Sequence, residues 1–322
     1  MTKPLRVLAL TQSDRMPNWD LFYEELGNYV DLDFRKLNRS EQSNLKKYFR
    51  NIDLDNYDRI FLELRFKRQL KQRNFIATLP NLVEYESDAN QNYKKGGKYQ
   101  GKWSKYYSSM SSLRIICTGH IVTARLRDEG YDAVCVPKGF NETEISCLDQ
   151  SRDIQLGFIG RVEKAAYNDR KKLLDLCVKR LGLQMLRTNP GAAYNQMLNR
   201  IRFFVSADIG LDEYMIKNFE AMAAGCVLCC YRQGRGEEDA LGFIDMDNVV
   251  LYDDVDELEA KLDYLKGRAS EVDLIAERGR ALVESRYGLK SLARQTAEVL
   301  VAPVMFMKPM TMTQKLLARL GR

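Results

Sequence analysis

Short apolar runs alternating with helical stretches, twice along the chain, limit its fold more than any other feature. In the first half the strand-like runs are "PLRVLAL", "YVDLDFRKL", "YDRIFLEL", "NLVEYES", "LRIICTG" and "AVCVPKG". Between them "NWDLFYEELGNY", "RFKRQLKQRNFIATL" and "IVTARLRDEG" have helical spacing. The pattern restarts at "IQLGFIG" and goes on through "QMLRT", "RFFVSADI", "CVLCCY" and "NVVLY". Its helices are "DRKKLLDLCVKRLGL", "AAYNQMLNRI", "MIKNFEAMAAG", "DVDELEAKLDYLKG" and "EVDLIAERGRALVESRY". Apolar strands alternating with amphipathic helices predict parallel sheets covered on both faces. A chain of 322 residues can hold two such α/β halves, joined near "GFNETEISCLDQSRD". Ligands in these sheets bind at the carboxyl ends of the strands, and with two halves the default site is the cleft between them.

Composition narrows the function classes. The chain is 45% hydrophobic and 29% charged, with no run of 18 apolar residues, so no membrane-spanning helix is expected. The start, "MTKPLRVLAL", enters a strand without the apolar core of a signal peptide. Seven cysteines are scattered without zinc-ligand spacing, and "CVLCC" reads as buried thiols. A reducing cytoplasm is the expected compartment. The net charge of +6 and pI near 8.8 suit anionic partners such as a membrane surface, phosphates or nucleic acid, or a solvated basic face.

Two stretches carry chemistry. In "FIGRVEKAAYNDRKK" a strand ends at Gly160, and Arg161, Lys164, Arg170 and Lys171 follow. Cations at a strand's carboxyl end near a helix N-terminus suit a diphosphate, or form a solvated basic face. In "DIGLDEYMIKNFEAMAAG" we expect the strand to end at Ile209, Gly210 to turn, and Asp212 and Glu213 to cap a helix. Glu220, eight residues beyond Asp212, stands directly before an apolar run, where a carboxylate is costly without a partner. The pair could serve two ends of an elongated ligand, a sugar and a ribose diol. Alternatively Asp212 is only an N-cap and Glu220 pairs with a nearby lysine.

The order strand, "GR", basic helix, strand, helix, strand, acidic residue, seven residues, "EAMAAG" resembles the C-terminal half of GT-B glycosyltransferases of the retaining family 4 type. The segments "IKNFEAMAAGCVLCC", "VVLYDDVDELEAKLDYL" and "AERGRALVESRY" are closer to its CgeB-like branch. The resemblance covers about residues 150–290; "RIICTGHIVTARLRDEGYDAVCVPKGFN" resembles the end of the family's first domain. It implies an α/β chain of two Rossmann-like domains facing a central cleft, residues 1–148 on the acceptor side and 149–290 on the donor side. Glu220 would bind the ribose of a nucleoside diphosphate sugar. Asp212, where the family usually has glutamate, would touch the donor sugar, with Glu213 beside it. Arg161 and Arg170 would meet the diphosphate, with Lys164 a further candidate; Gly160, Gly210 and Arg187 complete the donor side. The reaction implied is glycosyl transfer with retention, without a metal or other cofactor, because cations stabilise the leaving diphosphate.

On the acceptor side Asp88 is the catalytic candidate, with Glu86, Asn90 and His120 beside it; the lone histidine reads first as structural. The expected acceptor is a cell-surface polysaccharide or lipopolysaccharide-type or lipid-linked saccharide. The alternative function is a non-catalytic sugar-nucleotide or saccharide binder on the same fold. "NYKKGGKYQGKWSKYY" interleaves lysines with aromatics, a loop suited to an anionic saccharide, a lipid headgroup or, least favoured, nucleic acid. The segment 291–322 is expected to pack back on the first domain. Its end, "TMTQKLLARLGR", reads as a docked helix or as an amphipathic anchor on an anionic inner-membrane surface.

Overall fold

The computed structural model describes residues 4–15, 19–161 and 168–304. Lys164 and the segment 305–322 lie outside them. The chain divides into two compact units, residues 1–136 with 292–322, and residues 137–291.

Each strand-like run became a parallel strand. In the first unit these are β1 (Arg6–Gln12), β2 (Asp31–Leu37), β3 (Arg59–Glu63), β4 (Leu82–Glu86), β5 (Leu113–Cys117) and β6 (Asp132–Cys135), in the order β2-β1-β3-β4-β5-β6. β4 and β5 are buried at every position, as expected of strands covered on both faces. One face packs under Phe49, Phe66, Ile76, Trp103, Tyr106 and Tyr107. The second unit has β7 (Ile154–Ile159), β8 (Gln184–Leu186), β9 (Ile201–Ser206), β10 (Val227–Tyr231) and β11 (Val250–Tyr252), in the order β11-β10-β9-β7-β8. Cys226, Cys229 and Cys230 are buried, as read from "CVLCC".

Strand order reverses between β1 and β3 in the first sheet and between β7 and β9 in the second. At such a switch point neighbouring crossover helices diverge to opposite faces and leave a crevice at the carboxyl edge. The order therefore names two candidate crevices before any side chain is considered.

Several local expectations need correction. β9 ends at Ser206, not Ile209. "RFKRQLKQRNFIATL" is broken into short turns, Phe66–Gln69, Leu70–Gln72 and Arg73–Ile76, not one helix. The lysine-aromatic stretch is not wholly a loop. Lys102–Tyr107 is a helix whose Trp103, Tyr106 and Tyr107 are buried, with Trp103 stacked on Phe66 at 3.8 Å. Those rings are core, which removes most of the imagined platform for stacking bases.

The helix Leu289–Val301 carries the chain from the second unit back into the first. Its start is capped by Glu142, whose carboxylate accepts the N–H groups of Leu289 (2.7 Å) and Lys290 (3.0 Å). Its last carbonyls meet two arginines: Arg59 donates to Leu300 O, and Arg114 to Val299, Ala302 and Pro303 O. Cations at a helix C-terminus complement the macrodipole and satisfy carbonyls that have no partner in the helix. Among the described residues no helix is long and apolar enough to cross a membrane.

Candidate active site

In the second unit the switch point is built from the ends of β7 and β9 and from the helix Ile216–Ala223. β7 runs into Gly160, where an added Cβ would make its neighbours shift. A Cβ there would lie 2.7 Å from Lys217 Nζ and 2.7 Å from the Phe158 ring. Lys217, on the first turn of the helix, thus points back over the strand end. It donates to Ile159 O and stands 5.7 Å from the centre of the Phe158 ring. Burial pushes its pKa down. Glu220 pulls it back up, while the charges of Arg170 and Arg161 add to the depression. Glu220 and Asp208 only partly offset this, so a half-buried ammonium near two other cations at a strand end suits an anionic ligand such as a phosphate.

Glu220 stands one turn beyond Lys217. Its Oε2 accepts the Tyr194 hydroxyl at 2.6 Å. Burial raises its pKa, and the Tyr194 hydrogen bond and the Lys217 charge work against that rise. The question of what accompanies a carboxylate beside an apolar run has this answer: a tyrosine from the helix Ala192–Arg200 and a lysine one turn away. A nearby lysine was the alternative partner read for Glu220 from the sequence, though Lys217 was not named; Tyr194 looks there like an ordinary helix residue. The only local signal was the one-turn spacing of Lys217 and Glu220.

Asp212 and Glu213 do not cap the helix. It begins at Ile216, with Met215 as N-cap. Gly210 and Asp212 both adopt positive φ (67° and 57°), so the chain coils through a tight loop before the helix. The carboxylate that fixes the helix start is the buried Asp208. It accepts from Met215 N (3.0 Å), Asn218 Nδ2 (2.7 Å) and Ser206 Oγ (3.3 Å). Arg170 binds Asp208 at 2.8 Å and donates to Ala207 O at 2.9 Å, which ties the basic helix to the end of β9. Asp212 pairs with Arg235, and Glu213 pairs with Lys138 at 2.8 Å, both partners buried. Arg161 is exposed directly after Gly160, and Arg187 follows β8 on the sheet's outer edge. The structure thus brings Gly160, Arg161, Arg170 and Glu220 to one strand edge and gives Asp212 and Glu213 cationic partners.

In the first unit Asp88 is exposed after β4, and Asn90 lies in the turn Ala89–Asn92. Glu86 is buried, and its carboxyl accepts the Asp88 N–H at 2.8 Å. Burial first, and Asp88 second, push its pKa up. His120 is the first residue of the helix His120–Asp128, at the end of β5. The β1/β3 switch point went unnoticed in the sequence. There a cavity of about 40 Å³ is lined by residues including Thr11, Ser13, Arg15, Asp20 and Lys36. Beneath it Glu63 is buried and accepts from Thr11 Oγ1 (2.8 Å) and Tyr23 OH (2.6 Å). It also pairs with Arg15, whose guanidinium lies 4.3 Å from the Trp19 ring centre.

Residues 146–298 match the family described as Glycosyl transferase-like. Anabaena Alr3699/HepE in complex with UDP is similar over 92% of this chain and 99% of its own, with a TM-score of 0.64 at 14% identity. The chain has the GT-B fold. Sucrose-phosphate synthase from Thermosynechococcus elongatus is similar over 91% of the GT-B chain and 98% of its own, with TM-score 0.63 and 11% identity. A glycosyltransferase from Rickettsia africae covers 93% and 98%, with TM-score 0.60 and 10% identity. No curated protein matches the chain. Among the described residues of this GT-B chain no cluster of His, Cys, Asp and Glu could hold a metal ion.

Proposed function

We propose that the chain transfers a sugar from a nucleoside diphosphate sugar to a saccharide or lipid-linked acceptor. The observation that carries this reading is the half-buried Lys217 at the end of β7, its pKa lowered by burial and by the charges of Arg170 and Arg161, with Glu220 one turn away. The cations suit a diphosphate, and the carboxylate suits the adjacent ribose diol. HepE has been seen with UDP and with UDP-glucose, which supports this donor class.

In the reaction, the bond between the anomeric carbon and the diphosphate oxygen breaks as the acceptor hydroxyl oxygen bonds to that carbon and gives up its proton. Negative charge grows on the departing diphosphate. Lys217 and Arg161 would meet it from fixed positions, so the stabilisation needs little reorganisation at the moment of transfer. Arg170 works at one remove: its guanidinium is engaged by Asp208 and Ala207 O, so it positions the edge of the site. We assign metal-independent transfer on the strength of these cations, and the rate should survive EDTA. Asp88, Asn90 and His120, at the carboxyl edge of the first sheet, are the acceptor-side candidates, with the cavity at Thr11–Arg15 beside the β1/β3 switch point.

A cell-surface polysaccharide or lipopolysaccharide acceptor, retention, and the CgeB-like branch rest on the sequence motifs alone. The anomeric configuration of the product reads the stereochemistry directly. A second reading, a non-catalytic sugar-nucleotide binder, is favoured by the partners that Asp212 and Glu213 already have. Hydrolysis or transfer of labelled donor separates the two.

The test is calorimetry with UDP and with uridine. A charge-assisted contact is worth about 1.5–3 kcal/mol, so Lys217→Met should weaken UDP about 10- to 100-fold and leave uridine unchanged. Equal losses for both ligands would overturn the assignment of Lys217 to the diphosphate.

A further inference from the structure

The helical layer over one face of the first sheet is unusually poor in acid. Residues 64–107 contain ten Lys and Arg and three Asp and Glu. Of the three acids, Glu84 and Glu86 are buried in β4. Burial pushes Glu84 up to about 8 and raises Glu86 likewise, so both are largely neutral at pH 7. From Ala89 to Arg127 there is no acidic residue at all.

Packing makes one surface of this layer. Phe66 stacks on Trp103, Tyr99 lies 6.0 Å from Phe66, and the Tyr106 hydroxyl meets Glu84. These contacts hold the turn Phe66–Gln69 against the helix Lys102–Tyr107 and direct the lysines outward. Lys67, Lys71, Lys95, Lys98, Lys102 and Lys105 are all exposed. None of the six pairs with a carboxylate among the described residues. Other exposed cations do pair, as Arg65 of this layer with Asp14, and in the second unit Arg200 with Asp153 and Arg278 with Asp247. The ammoniums of Lys98 and Lys102 flank the Tyr99 ring at 5.5 and 5.4 Å from its centre. The two segments follow directly from the carboxyl ends of β3 and β4, the sheet edge where ligands approach.

We propose that this lysine face binds an anionic glycan chain, the acceptor or an extension of it, bearing carboxylate, phosphate or sulfate groups. The proposal rests on the glycosyl-transfer reading and names the acceptor's chemistry. Charge complementarity favours a polyanion. No large apolar side chain is exposed among residues 45–107, so the face has nothing to insert into a bilayer. With Trp103, Tyr106 and Tyr107 buried, the face offers little for stacked bases.

The experiment measures binding of full-length protein to fluorescent oligogalacturonate, to a neutral maltodextrin of equal length, to phosphatidylglycerol vesicles and to single-stranded DNA of matched charge. Oligogalacturonate should bind best and weaken as salt rises. The triple variant Lys95→Glu/Lys98→Glu/Lys102→Glu should lose about tenfold or more, while the control Lys172→Glu in the second unit should not. UDP calorimetry on the same triple variant should match the wild type. Equal binding of the neutral glycan, or an unaffected triple variant, would overturn the proposal. Tighter binding of vesicles or DNA than of the acidic glycan would do the same. Failure of wild-type protein to bind UDP would sink the donor reading and leave the glycan result standing.

Discussion

Glu84→Gln should make the first unit more stable, and increasingly so as pH rises. Glu84 is buried in the middle of β4. One carboxyl oxygen meets the Tyr106 hydroxyl; the other has no hydrogen-bond partner. Burial moves its pKa from 4.5 to about 8. Between those values the folded carboxyl keeps its proton and the unfolded one has lost it. Unfolding therefore releases a proton, and stability falls with rising pH by about 1.4 kcal/mol per unit. From pH 5 to 8 the loss from this one group is on the order of 4 kcal/mol. Glutamine keeps an acceptor for Tyr106 and does not titrate, so the loss disappears. The chain's two tryptophans, Trp19 and Trp103, are both buried in the first unit, so urea melts followed by tryptophan fluorescence report that unit alone. The gap between variant and wild type should widen by about 1.4 kcal/mol per pH unit. Parallel pH profiles would refute the reasoning, because they would mean that Glu84 is ionised when folded.

Other substitutions probe the scaffold of the site. Asp208→Ala should cost about 3 kcal/mol, because it removes the carboxylate partner of the largely buried Arg170 and frees the start of the helix Ile216–Ala223; a melting profile unchanged from wild type would argue against this role. Glu142→Ala removes the cap on Leu289 and Lys290 and should cost about 1 kcal/mol. Gly288→Ala should cost a similar amount, because the new Cβ would lie 2.5 Å from Glu142 Oε1 and push that side chain off its cap. Thermal melts of both variants check the agreement.

The alternation of apolar runs was enough to read the strands and both sheets, because a strand buried on both faces leaves an almost uninterrupted apolar signature. The place of Glu220 and Arg161 at one strand edge was legible from their position after strand-like runs and beside an apolar run; their roles there are proposals. The rest depended on tertiary context. Asp212 and Glu213 look like a helix cap, yet the left-handed turns at Gly210 and Asp212 delay the helix and hand the role to Asp208. In "KWSKYY" the lysines hid the aromatic spacing; Phe66, far upstream, decides that Trp103 faces inward. Lys217 reads as a surface lysine until β7 is seen beneath it. The β1/β3 crevice required strand order, which no single segment encodes.

The central claim is that the carboxylate of Glu220 holds the ribose diol of the donor. It is tested most directly by a cycle in which residue and ligand are cut back together. Calorimetry would compare UDP with 2′,3′-dideoxy-UDP, on wild-type protein and on Glu220→Gln. The account predicts that removing the diol weakens binding to wild type by about 1.5–3 kcal/mol and changes binding to the variant far less. An equal loss in both proteins would place the diol elsewhere and leave Glu220 as a structural partner of Tyr194 and Lys217.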